Sequence, residues 1–235
     1  MIIGRGLLAN VLRDIDNEKH LFYANGISNS VLENIPKNNF EIKEIEEIAK
    51  QNNGKTFIYF STCQVNSELN HHRAYVKHKL FLEHFISKNF QNYLIIRTTN
   101  LVGHNPWNIH TLFNFLYHAI TVNEQITINP VLKRNFLDAN HFSTLLKGYL
   151  QKYPVNKTIE VVNPLSFSMG EIIDEFEKCF LKKFKMKRET ETNDFAFFEL
   201  NNQLSSKLFK VNNISTQNYI PDLLKKYYLE LPVEN

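Results

Sequence analysis

The sequence predicts an α/β fold in which a parallel sheet is covered by helices. Short apolar runs rich in β-branched and aromatic residues alternate along the chain with longer segments of helical periodicity. The apolar runs are nearly continuous, as in strands that are buried on both faces. Their alternation with helices favours parallel strands joined by right-handed crossovers. A glycine-containing turn links the first apolar run directly to a helical segment, which is typical of such folds.

The predicted strands are residues 1–3, 21–24, 56–61, 93–97 and 158–162. Helical spacing of apolar residues marks the segments between them, for example Ile42, Ile45 and Ile48 in one segment and Leu82 with Ile86 in the next. The predicted helices are residues 6–14, 40–52, 74–88, 109–121, 139–151, 168–184 and 220–231, the last with a proline in its first turn. We expect a Rossmann-like domain over residues 1–162 and a small carboxyl-terminal lobe over residues 163–235 that packs on it.

The composition excludes several classes of protein. A chain of 235 residues with 43% hydrophobic and 22% charged residues has the balance of a soluble globular protein. The net charge of +3 is spread among interleaved acidic and basic residues, so no nucleic-acid partner is expected. No apolar run reaches the length of a membrane span, and the start does not have the pattern of a signal peptide. We therefore expect a cytoplasmic protein without a membrane partner.

Two side-chain groups and one basic cluster have simpler interpretations than a functional site. The histidines at 71, 72, 78 and 84 lack the spacing of a zinc site, so no metal is expected. Cys63 has no recognisable relay and is interpreted as a small packing residue. The basic residues between 182 and 188 would suit a phosphate or an acidic partner, but a solvated helix end is the favoured interpretation.

The first motif that carries chemistry is a Gly-x-Gly-x-x-Ala turn between the first strand and the first helix. It consists of Gly4, Gly6, Leu7, Leu8 and Ala9, with an arginine between the glycines. Glycines allow the backbone to approach a pyrophosphate, and a helix amino terminus offers free N–H groups. A glycine-rich structural turn would have the same sequence, so the motif alone leaves both interpretations open.

The second motif is a tyrosine and a lysine four residues apart, Tyr75 and Lys79, on one face of a predicted helix. A lysine ammonium near a phenol lowers the tyrosine pKa and prepares it for general acid/base catalysis. The strand that ends in Thr62 lies just before this helix. A hydroxyl at the carboxyl end of a strand lies where open α/β sheets bind ligands, so Thr62 is placed to bond the same reacting oxygen.

Taken together, these motifs resemble the short-chain dehydrogenase/reductase superfamily, especially its extended branch of nucleotide-sugar epimerases, dehydratases and reductases. The resemblance covers nearly the whole chain and implies that Thr62, Tyr75 and Lys79 are catalytic. It also implies NAD or NADP as cofactor, with Tyr75 and Lys79 among its contacts. The Arg-x-x-Asn-x-x-Gly segment places Asn100 at the sugar, and the Arg-Asn-Phe segment places Arg134 at the nucleotide diphosphate.

The chain departs from the family at the adenosine half of the cofactor site. Residues 21–26 resemble the family's fourth strand, so its second and third strands with their helices are missing here. In that alignment, Ala24 and Asn25 line the cofactor. The acidic residue that holds the adenosine ribose in the family is missing too. We therefore expect weak dinucleotide binding with little preference between NAD and NADP.

A second departure concerns the reaction. Dehydratases of the family have Asp and Glu after the catalytic threonine, whereas this chain has Cys63 and Gln64, so dehydration is not expected. The resemblance implies a 4-ketoreductase-like oxidoreductase or an epimerase that acts on a nucleotide-linked sugar for surface-polysaccharide synthesis. The alternative is a non-catalytic binding or regulatory protein on the same fold. A homodimer is expected, because the Tyr–Lys helix carries apolar residues on more than one face.

Overall fold

The computed structural model describes residues 1–27, 39–104, 111–189 and 199–229. Its strands, in chain order, are β1 (Ile2–Ile3), β2 (His20–Tyr23), β3 (Thr56–Thr62), β4 (Tyr93–Thr98), β5 (Asn100–Val102), β6 (Gln125–Ile128), β7 (Lys133–Arg134), β8 (Phe136–Asp138), β9 (Lys157–Val161), β10 (Phe167–Ser168) and β11 (Lys185–Arg188). Its helices are α1 (Leu7–Val11), α2 (Asn39–Gln51), α3 (Ala74–Asn89), α4 (Leu112–Val122), α5 (Ala139–Lys152), α6 (Met169–Phe180), α7 (Gln203–Val211) and α8 (Tyr219–Leu224), which continues as a π-helical turn (Lys225–Leu229).

The central sheet has five parallel strands in the order β1-β2-β3-β4-β9, which confirms the predicted fold class. All five strands predicted from the sequence belong to this sheet. Among the described residues, β1 pairs with β2 alone, through Ile2 with Phe22 and Ile3 with Tyr23, and therefore forms one edge. The sheet is shortened at this edge, as the sequence predicted.

Strand β3 shows why the apolar runs are nearly continuous. Its side chains alternate between the two faces of the sheet, and both faces are covered. Ile58 and Phe60 belong to the larger hydrophobic cluster, which extends into the carboxyl-terminal elements. Phe57 and Tyr59 belong to a second cluster on the opposite face, under α2 and α3. Strand β3 is thus the buried middle strand of the sheet, and α3 packs on one of its faces.

The remaining strands form three pairs that the sequence analysis did not predict. Strand β5 pairs in parallel with β8, β11 pairs in parallel with β6, and β10 pairs antiparallel with β7. Aromatic side chains of the last third of the chain, such as Phe176 and Tyr228, pack in the same cluster as Ile58 and Phe60 of the central sheet.

The prediction of one helix over residues 168–184 and of a helix end for the basic cluster is wrong. Helix α6 ends at Phe180, because Leu181 adopts a left-handed conformation with φ of 51°. Residues Lys185–Arg188 form β11, whose backbone is paired with β6 while Met186 packs against the main core. Pairing with a distant strand therefore overrides the helical pattern.

Other helix boundaries shift as well, among them the starts of α8 and α4 and the end of α1, which is at Val11. Helix α8 begins at Tyr219, two residues before Pro221, and residues 230–231 of the predicted final helix lie outside the described residues. Helix α4 begins at Leu112, and residues 109–110 of that prediction also lie outside the described part. Within the described ranges, no helix combines the length and the apolar character needed to cross a bilayer.

Candidate active site

The structure brings the three predicted catalytic side chains together at the carboxyl end of β3. Thr62 is the last residue of β3, and Tyr75 and Lys79 lie one turn apart on α3. All three side chains are buried, Lys79 with only 3% of its surface exposed. A buried lysine and tyrosine on one helical face are costly to desolvate, so their placement here is a feature that packing alone does not require.

Tyr75 is held as a neutral phenol in the structure. Burial raises its pKa to about 12, a hydrogen bond with Thr62 opposes this shift, and the Glu41 carboxylate adds to it. Thr62 also accepts a hydrogen bond from the backbone N–H of Gln64 at 3.2 Å, which orients its hydroxyl. The Thr62–Tyr75 contact therefore presents two hydroxyls side by side at the end of the strand.

Lys79 is close to this pair. Its Nζ donates to Tyr59 Oη and to the carbonyl oxygen of Phe60, both at 3.1 Å, and lies 5.8 Å from the centre of the Tyr75 ring. Burial lowers the pKa of Lys79 to about 8, and the carboxylates of Glu41 and Glu83 oppose that shift. An ammonium has three N–H groups, so one remains for a ligand.

Cys63 and Gln64 follow Thr62 at the carboxyl end of β3. Cys63 is buried, and burial raises the pKa of its thiol well above the ordinary value. Gln64 does not titrate, and its side-chain oxygen is buried without a hydrogen-bond partner among the described residues.

The glycine turn lies beside the carboxyl end of β2. Gly4 has φ of +135°, and a Cβ at this position would lie 2.5 Å from the carbonyl oxygen of Ala24, so only glycine fits. Gly6 is the N-cap of α1, and a Cβ added to it would meet no atom within 4 Å. The backbone of this turn is therefore accessible to a phosphate. Binding of the pyrophosphate of a dinucleotide requires such access.

The other predicted cofactor residues have mixed roles. Ala9 is buried, and Leu8 packs partly against the main core. Leu7 packs against Gly103. A Cβ added to Gly103 would lie 2.6 Å from Leu7 Cδ1. The Asn25 side chain donates to both oxygens of Glu44, at 3.1 and 3.3 Å, and Tyr23 donates to the same carboxylate at 2.6 Å. Packing of Leu7, Leu8 and Ala9 thus stabilises the turn. The Asn25 side chain is hydrogen-bonded to Glu44 of α2.

The two predicted substrate residues lie on the short strands outside the central sheet. The Asn100 side chain donates to the carbonyl oxygen of Asn135 at 2.9 Å, which ties β5 to the segment before β8. Arg134 lies on β7, and burial together with the charge of Arg73 lowers its pKa. Arg73 is the N-cap residue of α3, two residues before Tyr75. The sequence analysis missed Arg73, although its place just before the Tyr–Lys helix was a usable signal.

The sequence analysis also missed a buried carboxylate on α2. Glu41 Oε2 accepts a hydrogen bond from His78 Nε2 at 2.6 Å, and the negative charge of Glu41 raises the pKa of Lys79. His71 and His72 contact backbone carbonyl oxygens, at 2.8 and 2.7 Å. Over the described ranges, no group of three His, Cys, Asp or Glu side chains is arranged to hold a metal ion.

Comparison with solved structures finds a similar fold in three proteins that were solved with NAD or NADPH. UDP-glucuronic acid 4-epimerase from Bacillus cereus, solved with UDP-glucuronic acid and NAD, gives a TM-score of 0.70 at 19% identity over 94% of this chain and 76% of that one. RMD from Pseudomonas aeruginosa, solved with NADPH, gives 0.61 at 12% identity over 79% and 68%. dTDP-glucose 4,6-dehydratase from Bacillus anthracis, solved with NAD, gives 0.57 at 11% identity over 77% and 63%.

No protein-family model matches the sequence, and no curated protein sequence matches it. At identities below 20%, these structural matches establish the fold alone. This confirms the fold that the sequence resemblance implied.

Proposed function

We propose that this protein is an NAD- or NADP-dependent enzyme that moves a hydride at C4 of a nucleotide-linked sugar, as a 4-epimerase or a 4-ketoreductase. The observation that carries the proposal is the buried Thr62–Tyr75 pair with Lys79 beside it, at the ligand-binding end of a parallel sheet. The similar structures that cover most of this chain include a 4-epimerase solved with NAD and its nucleotide-sugar ligand. Surface-polysaccharide synthesis is the role we propose for the product.

Each of the three side chains has a distinct part in the proposed reaction. Tyr75 Oη gives a proton to the sugar oxygen when a ketone is reduced and takes it back when an alcohol is oxidised. Thr62 donates a hydrogen bond that orients the same oxygen. Lys79 supplies a positive charge that favours the phenolate form of Tyr75. The nicotinamide, when bound, accepts or donates the hydride.

The residues around the triad fit both ligands. Gly4 and Gly6 leave backbone open at the amino end of α1 for a pyrophosphate. Arg73 and Arg134 place two positive charges near each other on the Tyr75 side of the site, which suits the diphosphate of the substrate. Asn100 is proposed as a sugar contact. We expect the protein to show little preference between NAD and NADP.

A 4,6-dehydratase is not part of the proposal. Elimination of water would need an acid and a base after Thr62, and Cys63 and Gln64 supply neither at neutral pH. Epimerisation and ketone reduction need only hydride transfer with the proton relay of Tyr75. Both reactions are therefore compatible with the same three side chains.

The test is turnover of the Tyr75→Phe variant, which removes only the phenolic oxygen. We expect kcat to fall by about 10²–10⁴-fold, and Thr62→Val to act in the same direction. Tyr153→Phe, which removes a phenolic oxygen at the end of α5, is the matched control and should retain activity. The assay follows nicotinamide absorbance with UDP-, dTDP- and GDP-linked 4-ketosugars to detect reduction. The corresponding sugars with a hydroxyl at C4 are used to detect epimerised products by chromatography and dehydrated products by mass.

Full activity of Tyr75→Phe, or release of water from the substrate, would contradict the mechanism. If the wild-type protein turns over none of the sugars but binds one of them in calorimetry, the protein is a binding protein on this fold. Gln64→Ala should have little effect, because no dehydration acid is lost.

A further inference from the structure

The turn after α6 carries an exposed leucine in a backbone conformation that leucine disfavours. Leu181 is left-handed, with φ of 51° and ψ of 35°, and 91% of its surface is exposed. A Cβ makes this conformation costly, so glycine or asparagine usually occupies it at a helix end. Helix α4 follows that rule, because it ends at Asn123 in the same conformation. Neither burial nor backbone preference accounts for a leucine at position 181, so it does not serve the stability of the fold.

The ends of α4 and α6 lie side by side. Lys182 Nζ donates to the carbonyl oxygen of Thr121 at 3.5 Å, which joins the turn after α6 to the last turn of α4. The strands that follow the two turns, β6 and β11, are paired in parallel. Val122 is the last residue of α4 and is 57% exposed. Leu181 and Val122 therefore present two exposed apolar side chains at the same corner of the molecule.

The strand that follows this corner exposes a row of positive charge. Lys185 and Lys187 of β11 are exposed, whereas Met186 between them packs against the main core, because successive side chains of a strand point to opposite faces. Their register partners on β6 are Gln125 and Thr127, which carry no charge. The exposed face of the β6–β11 pair thus holds two lysines and no acidic residue.

Nearby carboxylates neutralise only part of the positive charge. The acidic residues next to the basic ones in sequence are Glu124, Glu177 and Glu189. Glu177 forms a salt bridge with Lys183, and Glu124 lies 3.9 Å from His118. Within the described part of the chain, three lysines of this segment make no salt bridge, namely Lys182, Lys185 and Lys187. Together with Leu181 and Val122, these three lysines form what we term the lysine surface.

The composition of the lysine surface favours a membrane with anionic lipids over other acidic partners. Lysine is a flexible point charge that suits a diffuse negative surface, whereas the planar fork of arginine suits individual phosphates. Exposed apolar side chains beside lysines can enter the boundary between headgroups and acyl chains. A single-stranded nucleic acid would instead need aromatic side chains for stacking, and the lysine surface has none. The sequence analysis expected no membrane partner because no segment can span a bilayer, but contact with a lipid surface needs no span.

We propose that the lysine surface binds reversibly to membranes that contain anionic lipid, with Leu181 and Val122 entering the interface and the three lysines facing the headgroups. This proposal goes beyond the proposed function and does not depend on it. Each lysine near an anionic membrane raises the affinity by about fivefold. Three lysines therefore give weak binding that added salt should abolish, because exposed charges are screened.

Vesicle flotation with the full chain tests the proposal. Vesicles of phosphatidylcholine with roughly one third phosphatidylglycerol should bind the wild type at low salt, and vesicles of phosphatidylcholine alone should not. The double variant Lys185→Gln with Lys187→Gln should bind the anionic vesicles about 25-fold more weakly, or about fivefold for each lysine. The control is Lys147→Gln with Lys152→Gln, which removes the same charge from exposed positions of α5 and should bind as the wild type does.

Leu181→Asn separates binding from folding. Asparagine is better suited than leucine to the left-handed conformation, so the variant should unfold at the same temperature as the wild type or at a higher one. It should bind the anionic vesicles at least about fourfold more weakly, which is the loss for one CH₂ group that no longer enters the membrane.

Absence of wild-type binding to anionic vesicles, or unchanged binding of either the double variant or Leu181→Asn, would refute the proposal. Binding to RNA or heparin in place of the vesicles would also contradict it and would indicate an acidic macromolecule as the partner. Turnover of nucleotide sugars is measured without vesicles, so failure of this proposal leaves the proposed function unaffected.

Discussion

At the scale of single residues, Lys79 is the group whose environment most affects the proposed chemistry. Its ammonium is buried, and burial lowers its pKa to about 8, whereas the nearby carboxylates of Glu41 and Glu83 keep the shift from being larger. A lysine that titrates near pH 8 carries its charge at neutral pH and loses it in mildly alkaline solution. The phenol of Tyr75, with a pKa near 12, stays protonated over the same range.

This predicts that reduction of a 4-ketosugar slows as the pH rises through about 8. Below that pH, Lys79 is charged and assists the transfer of the Tyr75 proton; above it, the assisting charge is lost while Tyr75 is still a phenol. The measurement is kcat between pH 6 and 10 with saturating substrate and cofactor. A reduction rate that keeps rising to pH 10 would mean that the charge of Lys79 does not assist the reaction.

The two glycines of the first turn should respond differently to alanine. Gly4→Ala places a Cβ 2.5 Å from the Ala24 carbonyl oxygen at a φ of +135°, so we expect a loss of stability of at least about 1 kcal/mol. At Gly6, a Cβ meets no atom within 4 Å, so Gly6→Ala should fold normally and weaken dinucleotide binding by obstructing the phosphate. Thermal unfolding and calorimetry of both variants separate these effects, and equal stability of the two variants would refute the argument.

At the scale of secondary-structure elements, Asp138 joins α5 to the end of the described chain. Its Oδ1 accepts hydrogen bonds from the backbone N–H of Asn140 at 2.7 Å and of His141 at 3.3 Å, which cap the amino end of α5. The same carboxylate accepts from Tyr227 at 2.9 Å and from Lys226 at 2.8 Å, both in the π-helical turn. One buried carboxylate thus stabilises two elements that are far apart in sequence.

We therefore predict that Asp138→Ala destabilises the protein by at least about 2 kcal/mol, since it removes a helix cap and leaves buried donors unpaired. Lys226→Met is the matched comparison, because it removes one half-exposed partner and leaves the cap intact. Its effect should stay below about 1 kcal/mol. Urea unfolding of the two variants gives the comparison, and similar losses would show that the cap is unimportant.

At the scale of the whole molecule, α3 and its neighbour α2 carry exposed apolar residues that could form a contact between two copies of the protein. Leu82 and Ile86 of this helix pack in the second core cluster, whereas Phe81 points outward with 52% of its surface exposed. Phe40 on the neighbouring α2 is 83% exposed. Exposed phenylalanines on adjacent helices are costly in water, and an isologous contact between two copies of α3 would cover them.

The expected homodimer can be tested on Phe81. Phe81→Lys should give a monomer, because it places a charge in the proposed contact. Val211→Lys makes the same kind of change at an exposed apolar residue of α7 and should leave the dimer intact. Light scattering at micromolar protein concentration distinguishes these states. A monomeric wild-type protein under these conditions would remove the prediction.

Local pattern in the sequence predicted the strands of the central sheet and the proximity of the three side chains whose catalytic role the family resemblance implies. The strands at residues 56–61 and 93–97 are buried on both faces, and that burial is recorded in their continuous apolar character. Tyr75 and Lys79 are four residues apart on one helix, so their proximity follows from helical geometry. Thr62 ends the strand before that helix, and the crossover rule for parallel strands brings the two together.

Only the tertiary structure decided the features that depend on pairs distant in sequence. Strand β11 is polar and short and exists because β6 accepts its backbone, a pairing that no local periodicity encodes. Glu41 is 38 residues from Lys79 along the chain, and in the sequence it is one of several glutamates on an amphipathic helix. Its burial beside Lys79, like the approach of Arg73 to Arg134, arises when separate elements pack on a common sheet. Local sequence specifies the elements, and the packing between them places these charges.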